Sequence, residues 1–163
     1  MAKITVSTEI HAPPSQVWDI VKDIDDHVNW MKDAERIDFT SEKRSGVGTK
    51  FDCATKVGPF RLKDRMEITE WIDEESMGVS HEGLVTGSGR FSLQETADNH
   101  TIFTWEETLD FPFWMGGPLR DPVGSRILSM IWKKNLTLLK QQVEATSSFS
   151  SLWRTTTGKP TQS

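Results

Sequence analysis

The 163-residue chain sets 19 Lys and Arg against 24 Asp and Glu, a formal charge of −5. It therefore lacks the broad basic field that a nucleic-acid backbone requires, and its length suits one domain with a sizeable core. The lone Cys53 excludes an internal disulfide and a cysteine-rich metal site.

Seven Trp and eight Phe stand beside no Tyr in a chain only 36% hydrophobic. Such rings fill a large core or line a hollow one. No charged-then-apolar leader precedes Ile4, and no apolar run approaches the roughly 20 residues that span a bilayer. The cytoplasm is the expected compartment.

In chain order, Ile4, Val6, Thr8 and Ile10 alternate as one face of a half-buried strand. Pro13 and Pro14 end it and open a helix, since a first-turn proline lacks only an N–H that has no intrahelical partner. Val17, Val21 and Ile24 carry that helix's stripe, with Trp18 and Ile20 beside it. After a polar break, a further turn holds Trp30 and Met31. From Ile37 the punctuation is that of hairpins, with turn signals at Gly46 to Gly48, Gly58-Pro59, Asp73 to Ser76 and Asp98-Asn99. The intervening runs alternate: Phe51, Cys53, Thr55, Val57; Phe60, Leu62, Met66, Ile68; Met77, Val79; Phe91, Leu93; Phe103, Trp105, Leu109, Phe111. Their spacing leaves no room for crossover helices, so the sheet should be antiparallel with one face on the core. Gly87 and Gly89 fall inside a strand-like run and suggest a bulge or strong bend. Beyond the apolar loop FPFWMGGPL, Asp121-Pro122 reads as an N-cap with proline at the first helical position. The helix it starts carries Val123, Ile127, Ile131, Leu138, Leu139 and Val143, and about 24 residues would give it a length of about 35 Å. Residues 146–163 are Ser- and Thr-rich without sustained period and read as a flexible tail behind a 1–145 domain.

A strand, two short helices, six hairpin-linked strands and a long C-terminal helix form the order of the helix-grip architecture. In APPSQVWDIVKDIDDHVNW, GVGTKF, TIFTWEETLD and LLKQQVE, over roughly residues 3 to 145, the chain resembles the SRPBCC (START-like) superfamily, in its polyketide cyclase/dehydrase and lipid transport group. The resemblance implies an α+β fold in which a curved sheet of about seven strands wraps the C-terminal helix around an apolar cavity. Its leading functional implication is binding, with transport as an extension, of a small hydrophobic ligand such as a lipid or polyketide-like compound. The alternative is a cyclase or dehydratase acting in the cavity; a third is a regulatory or toxin-like protein, for which no residue speaks. Aromatase/cyclase members are said to use a cavity arginine, but Arg65 alternates away from Met66 and Ile68.

Polar residues in phase with the apolar alternation are the informative ones, because burial without a partner is unfavourable. Asp64, His81 and Glu107 share the phase of their strands' apolar faces, and Asn135 lies beside the helix stripe. With Trp30, Phe51, Met66, Phe91, Trp105 and Ile131 they make the expected ligand-binding set, and His81 and Glu107 are the candidate acid and base. A register slip of one residue would instead turn each to solvent. Phe113 and Trp114, in the loop Phe111 to Leu119 with its Gly116-Gly117 hinge, either gate the cavity, with a transient membrane contact, or plug the core. GSGRFS lacks the third glycine and the following helix of a dinucleotide loop. His11, His27, His81 and His100 show no metal-ligand spacing, and no nucleophile elbow occurs. No cofactor, metal or protein partner is expected.

Overall fold

The computed structural model describes residues 1–114 and 122–156, with side chains through 153. Strand β1 (Ala2–Ile10) buries Ala2, Ile4, Val6 and Ile10 and leaves Thr8 half-buried. Helix α1 (Pro14–Val21) begins directly on its proline and buries Val17, Trp18 and Val21. A 3-10 turn (Ile24–Asp26) leads into the four-residue α2 (His27–Trp30). Six strands follow: β2 (Ala34–Phe39), β3 (Lys50–Val57), β4 (Phe60–Ile72), β5 (Ser76–Gly83), β6 (Thr86–Glu95) and β7 (Thr101–Asp110). Together with β1 they make one antiparallel, curved sheet in the order β1-β7-β6-β5-β4-β3-β2. The long helix α3 (Pro122–Thr156) lies against it, most closely at β1. This is the α+β helix-grip arrangement, with the core between the sheet's inner face and α3.

Three features differ from the sequence expectations. The buried face of α3 is Leu128, Trp132, Asn135, Leu136, Leu139 and Val143, while Val123 and Ile127 are exposed and Ile131 and Leu138 half-buried. Both stripes satisfy the helical period, so periodicity alone does not choose between them. The helix also runs past Ala145 to Thr156 and spans 35 residues. The hydroxyls of this Ser/Thr-rich segment bond within the helix: Thr146 donates to the Gln142 carbonyl at 3.0 Å, Ser148 to Glu144 at 2.9 Å and Ser150 to Thr146 at 3.1 Å. Finally, Gly87 and Gly89 make no bulge, because β6 keeps regular register with both neighbours; the register shifts lie at Ala34/Arg36 and Ile68/Glu70. The Asp121 cap expected for α3 lies outside the described residues, as do Met115, Gly116 and Gly117.

Candidate functional site

The glycines have another role. Along β6 the inward phase is that of Phe91 and Leu93, and Gly89 and Gly87 continue it. Gly89 pairs with Glu107 on β7, and Gly87 pairs with His81 on β5. Without side chains at 87 and 89, the space above β6 is open to residues from both flanking strands. His81 and Glu107 meet there, Nε2 to Oε2 at 3.1 Å, with both side chains buried. A Cβ on Gly89 would come within 2.6 Å of Glu107 Cδ, and one on Gly87, at φ 144°, would overlap the Thr108 carbonyl oxygen. Glycine at 87 is thus required by a neighbouring backbone, and a side chain at 89 would have to displace the Glu107 carboxyl; both glycines serve close approach and not a turn.

Glu107 is held from its other side. Trp105, two residues earlier on the same face, donates its indole N–H to Glu107 Oε1 at 2.9 Å and stacks on Trp132 of α3 at 4.8 Å between ring centroids. The remaining atoms, Glu107 Oε2 and His81 Nε2, are close but not aligned as a hydrogen bond, and each lacks another bonding partner among the described residues. Burial opposes the imidazolium of His81, yet the contact with Glu107 and the charges of Glu107 and Asp64 outweigh it and raise the His81 pKa above its ordinary value. The site therefore sets an imidazole against a carboxyl group, with hydrogen-bonding capacity left over on both.

Two adjoining cavities, about 70 and 100 Å³, share Met31, Cys53, Met66, His81, Trp105 and Glu107 as walls. The first adds His27, Phe51, Val79 and Phe91; the second adds Asp33, Asp64, Phe111, Leu128 and Trp132. Burial raises Asp64, which accepts the Val85 N–H at 3.4 Å, and likewise Asp33. Burial also pushes the Cys53 thiol up to about 11, so the thiolate is suppressed. His27 is buried with its ring nitrogen 2.7 Å from the Val21 carbonyl, and burial lowers its pKa.

Of the residues expected at the site, Phe51, Asp64, Met66, His81, Phe91, Trp105 and Glu107 line these cavities. Trp30 does not: it is fully buried in a cluster of rings with His27, Phe91, Phe103 and Trp105. Ile131 sits at the flank of the rotated helix face, away from the cavities. Asn135 is buried but spent on structure. Its Oδ1 accepts the Lys32 N–H at 3.1 Å and its Nδ2 donates to Asp33 Oδ1 at 2.6 Å, tying α3 to the segment after α2. Phe113 and Trp114 are 86% and 61% exposed, so neither ring plugs the core. Met31, Cys53, Asp33, Leu128 and Trp132 were not singled out by the sequence reading. Cys53 alternates in phase with Phe51, a signal already present; Leu128 and Trp132 needed the choice of helix face.

An antiparallel sheet gripping one long helix over a cavity is the helix-grip, START-like fold. The chain belongs to the polyketide cyclase / dehydrase and lipid transport family, whose pattern matches residues 1–144. Similar solved structures include a protein from Thermus thermophilus (20% identity, 89% of this chain and 99% of that one, TM-score 0.76). A START superfamily protein from Mycobacterium smegmatis (10%, 90% and 99%, TM-score 0.74) and the XoxI protein of Bacillus cereus (18%, 90% and 99%, TM-score 0.70) are others. At these identities the likeness is one of fold. A search of curated proteins finds no match. No helix among the described residues is long and apolar enough to cross a membrane.

Proposed function

We propose that this protein binds a compact, mostly apolar molecule carrying one hydroxyl or enol group, seated against His81 and Glu107. The observation that carries this reading is the pair of unpartnered buried atoms, His81 Nε2 and Glu107 Oε2, facing apolar walls. A hydroxyl supplies both missing interactions at once, accepting from the imidazole and donating to the carboxylate. Taken together, though not singly, the two adjoining cavities match the apolar cavity of about 150 Å³ that admits benzene, which supports a ligand built around a single ring. A larger lipid would require the walls to part, for which Met31, Met66 and Met77 are adaptable linings. Entry beside Phe111, with exposed Phe113 and Trp114 touching a membrane surface, fits the transport side of the family's description. The cytoplasm is the compartment we infer. Native mass spectrometry of the purified chain, followed by phenol and naphthol titrations of the wild type, His81→Ala and Glu107→Gln, tests the reading. Loss of affinity for the hydroxylated rings, but not for benzene, is the expected result; equal affinity for both classes in all three proteins refutes it.

The raised pKa of His81 favours a second reading, acid-base catalysis of cyclisation or dehydration within the cavity. There His81 would give a proton to a substrate carbonyl or leaving hydroxyl, and Glu107 would receive one from the adjacent carbon. Turnover of a poly-carbonyl substrate, abolished by either substitution, would establish it.

A further inference from the structure

The four histidines are scattered at positions 11, 27, 81 and 100, and linear spacing gives no ligand pattern. Pairing of the first strand with the last changes this. Glu9 and His11 flank the fully buried Ile10 at the end of β1, and Ile10 pairs with Thr101, so His100 arrives next to both. Glu9, His11 and His100 each offer one ligand atom, and the three atoms lie within 4.8 Å of one another. His100 Nδ1 is 3.0 Å from Glu9 Oε1, and the His11 and His100 rings stack at 4.6 Å. Glu144, from α3, accepts the His11 backbone N–H at 2.9 Å and sits 3.6 Å from His11 Nδ1.

We propose that Glu9, His11, His100 and Glu144 form a binding site for a divalent ion of the zinc class. Two imidazoles and two carboxylates suit a borderline-soft ion such as Zn²⁺ better than Ca²⁺ or Mg²⁺, which prefer all-oxygen shells. Tetrahedral zinc needs ligand atoms about 3.3 Å apart. For Glu9, His11 and His100 the contraction from 4.8 Å takes rotamer changes of exposed or part-exposed side chains, and Glu144, 3.6 Å from His11 Nδ1, would turn toward them as the fourth ligand. One cation already faces the cluster: Lys140 Nζ is 3.5 Å from Glu144 Oε1 and donates to the Glu9 carbonyl at 2.7 Å. Two carboxylates against this one ammonium leave net negative charge for a dication while the imidazoles are neutral. Binding would join the end of β1, the start of β7 and the second half of α3 at one point.

The test uses the full chain without a polyhistidine tag, stripped with a chelator. Zn²⁺ is titrated in competition with a chromophoric chelator, and Co²⁺ is followed by its visible absorption. One ion per chain with tetrahedral Co²⁺ bands is expected. His11→Ala and His100→Ala should each weaken Zn²⁺ by about tenfold or more, the loss that even outer-shell changes produce, and Glu9→Gln provides a third exposed variant. His81→Ala, within the cavity, should bind as wild type. Absence of the Co²⁺ bands, or Zn²⁺ affinity undiminished in the His11 and His100 variants, overturns the proposal.

Discussion

Glu107 lies directly across the sheet from Gly89, and its carboxylate occupies the volume that a side chain at 89 would fill. Gly89→Ala should therefore destabilise the protein by about 1–3 kcal/mol, the usual range for forcing an atom into a packed interior. Combining it with Glu107→Ala should give less than the sum of the two single effects, because the shortened side chain removes the overlap. Denaturant melts of the four proteins measure the coupling; additive effects would show that Gly89 is needed for some other reason.

The raised pKa of His81 gives the site a pH signature. A histidine raised on folding contributes stability fully present below its unfolded value, near the ordinary 6.5, and lost as pH rises through the folded value. Melts of the wild type and His81→Gln between about pH 5 and 8 should show the pH-dependent part of their difference largest in acid and shrinking upward. A difference that grows with pH contradicts the assignment.

Asp64 predicts the opposite use of the same linkage. Burial raises its pKa above 3.8, so its charged form is the unfavourable one in the folded state and stability falls as pH rises from below that value. Asp64→Asn, which keeps an oxygen for the Val85 N–H, should match the wild type well below pH 3.8 and melt higher at neutral pH. A lower melting temperature at neutral pH would mean that the ionised carboxylate has a stabilising partner.

Two tryptophans separate core from surface. Trp30→Ala should cost about 3–5 kcal/mol, as loss of a buried ring does, whereas exposed Trp114→Ala should stay within about 0.5 kcal/mol. If Trp114 lies on the ligand's path, its removal should also speed release of a bound naphthol in stopped flow. Unchanged release would place the entry elsewhere.

The end of the domain can be tested by truncation. Among the residues of α3 whose side chains are described, Val143 is the last buried one, and Phe149, Leu152 and Trp153 are exposed. Removing residues 146–163 should lower the melting temperature by only a few degrees, on the scale of about 1 kcal/mol, while losing helical ellipticity from the final turns. A larger drop would place the boundary of the cooperative unit beyond Ala145.

Much of the fold was legible because each strand faces the core on one side, so alternation in runs such as TIFTWEETLD names the inner residues, and turns are marked by glycine, asparagine and aspartate. The same phase placed His81 and Glu107 inward. That they touch was not legible, since the contact depends on β6 lying between their strands and on two glycines whose omission of side chains is not itself a pattern. Asn135 was misread for a related reason. A buried amide satisfied by backbone and carboxylate looks, in sequence, the same as one offered to a ligand.

The strand order has a consequence for how the molecule comes to exist. β1 is made first, but its neighbour is β7, and Ile4 meets Glu107 across about a hundred residues, a loop whose closure slows folding. During synthesis the hairpins from β2 to β6 can form as they emerge, while β1 waits as an exposed edge. Only when β7 leaves the ribosome can it pair with both β6 and β1 and complete the sheet, and the same event delivers Trp105 and Glu107 to His81. The polar pair is thus assembled at the moment the cavity closes, so a chain interrupted before β7 has neither a completed sheet nor a site.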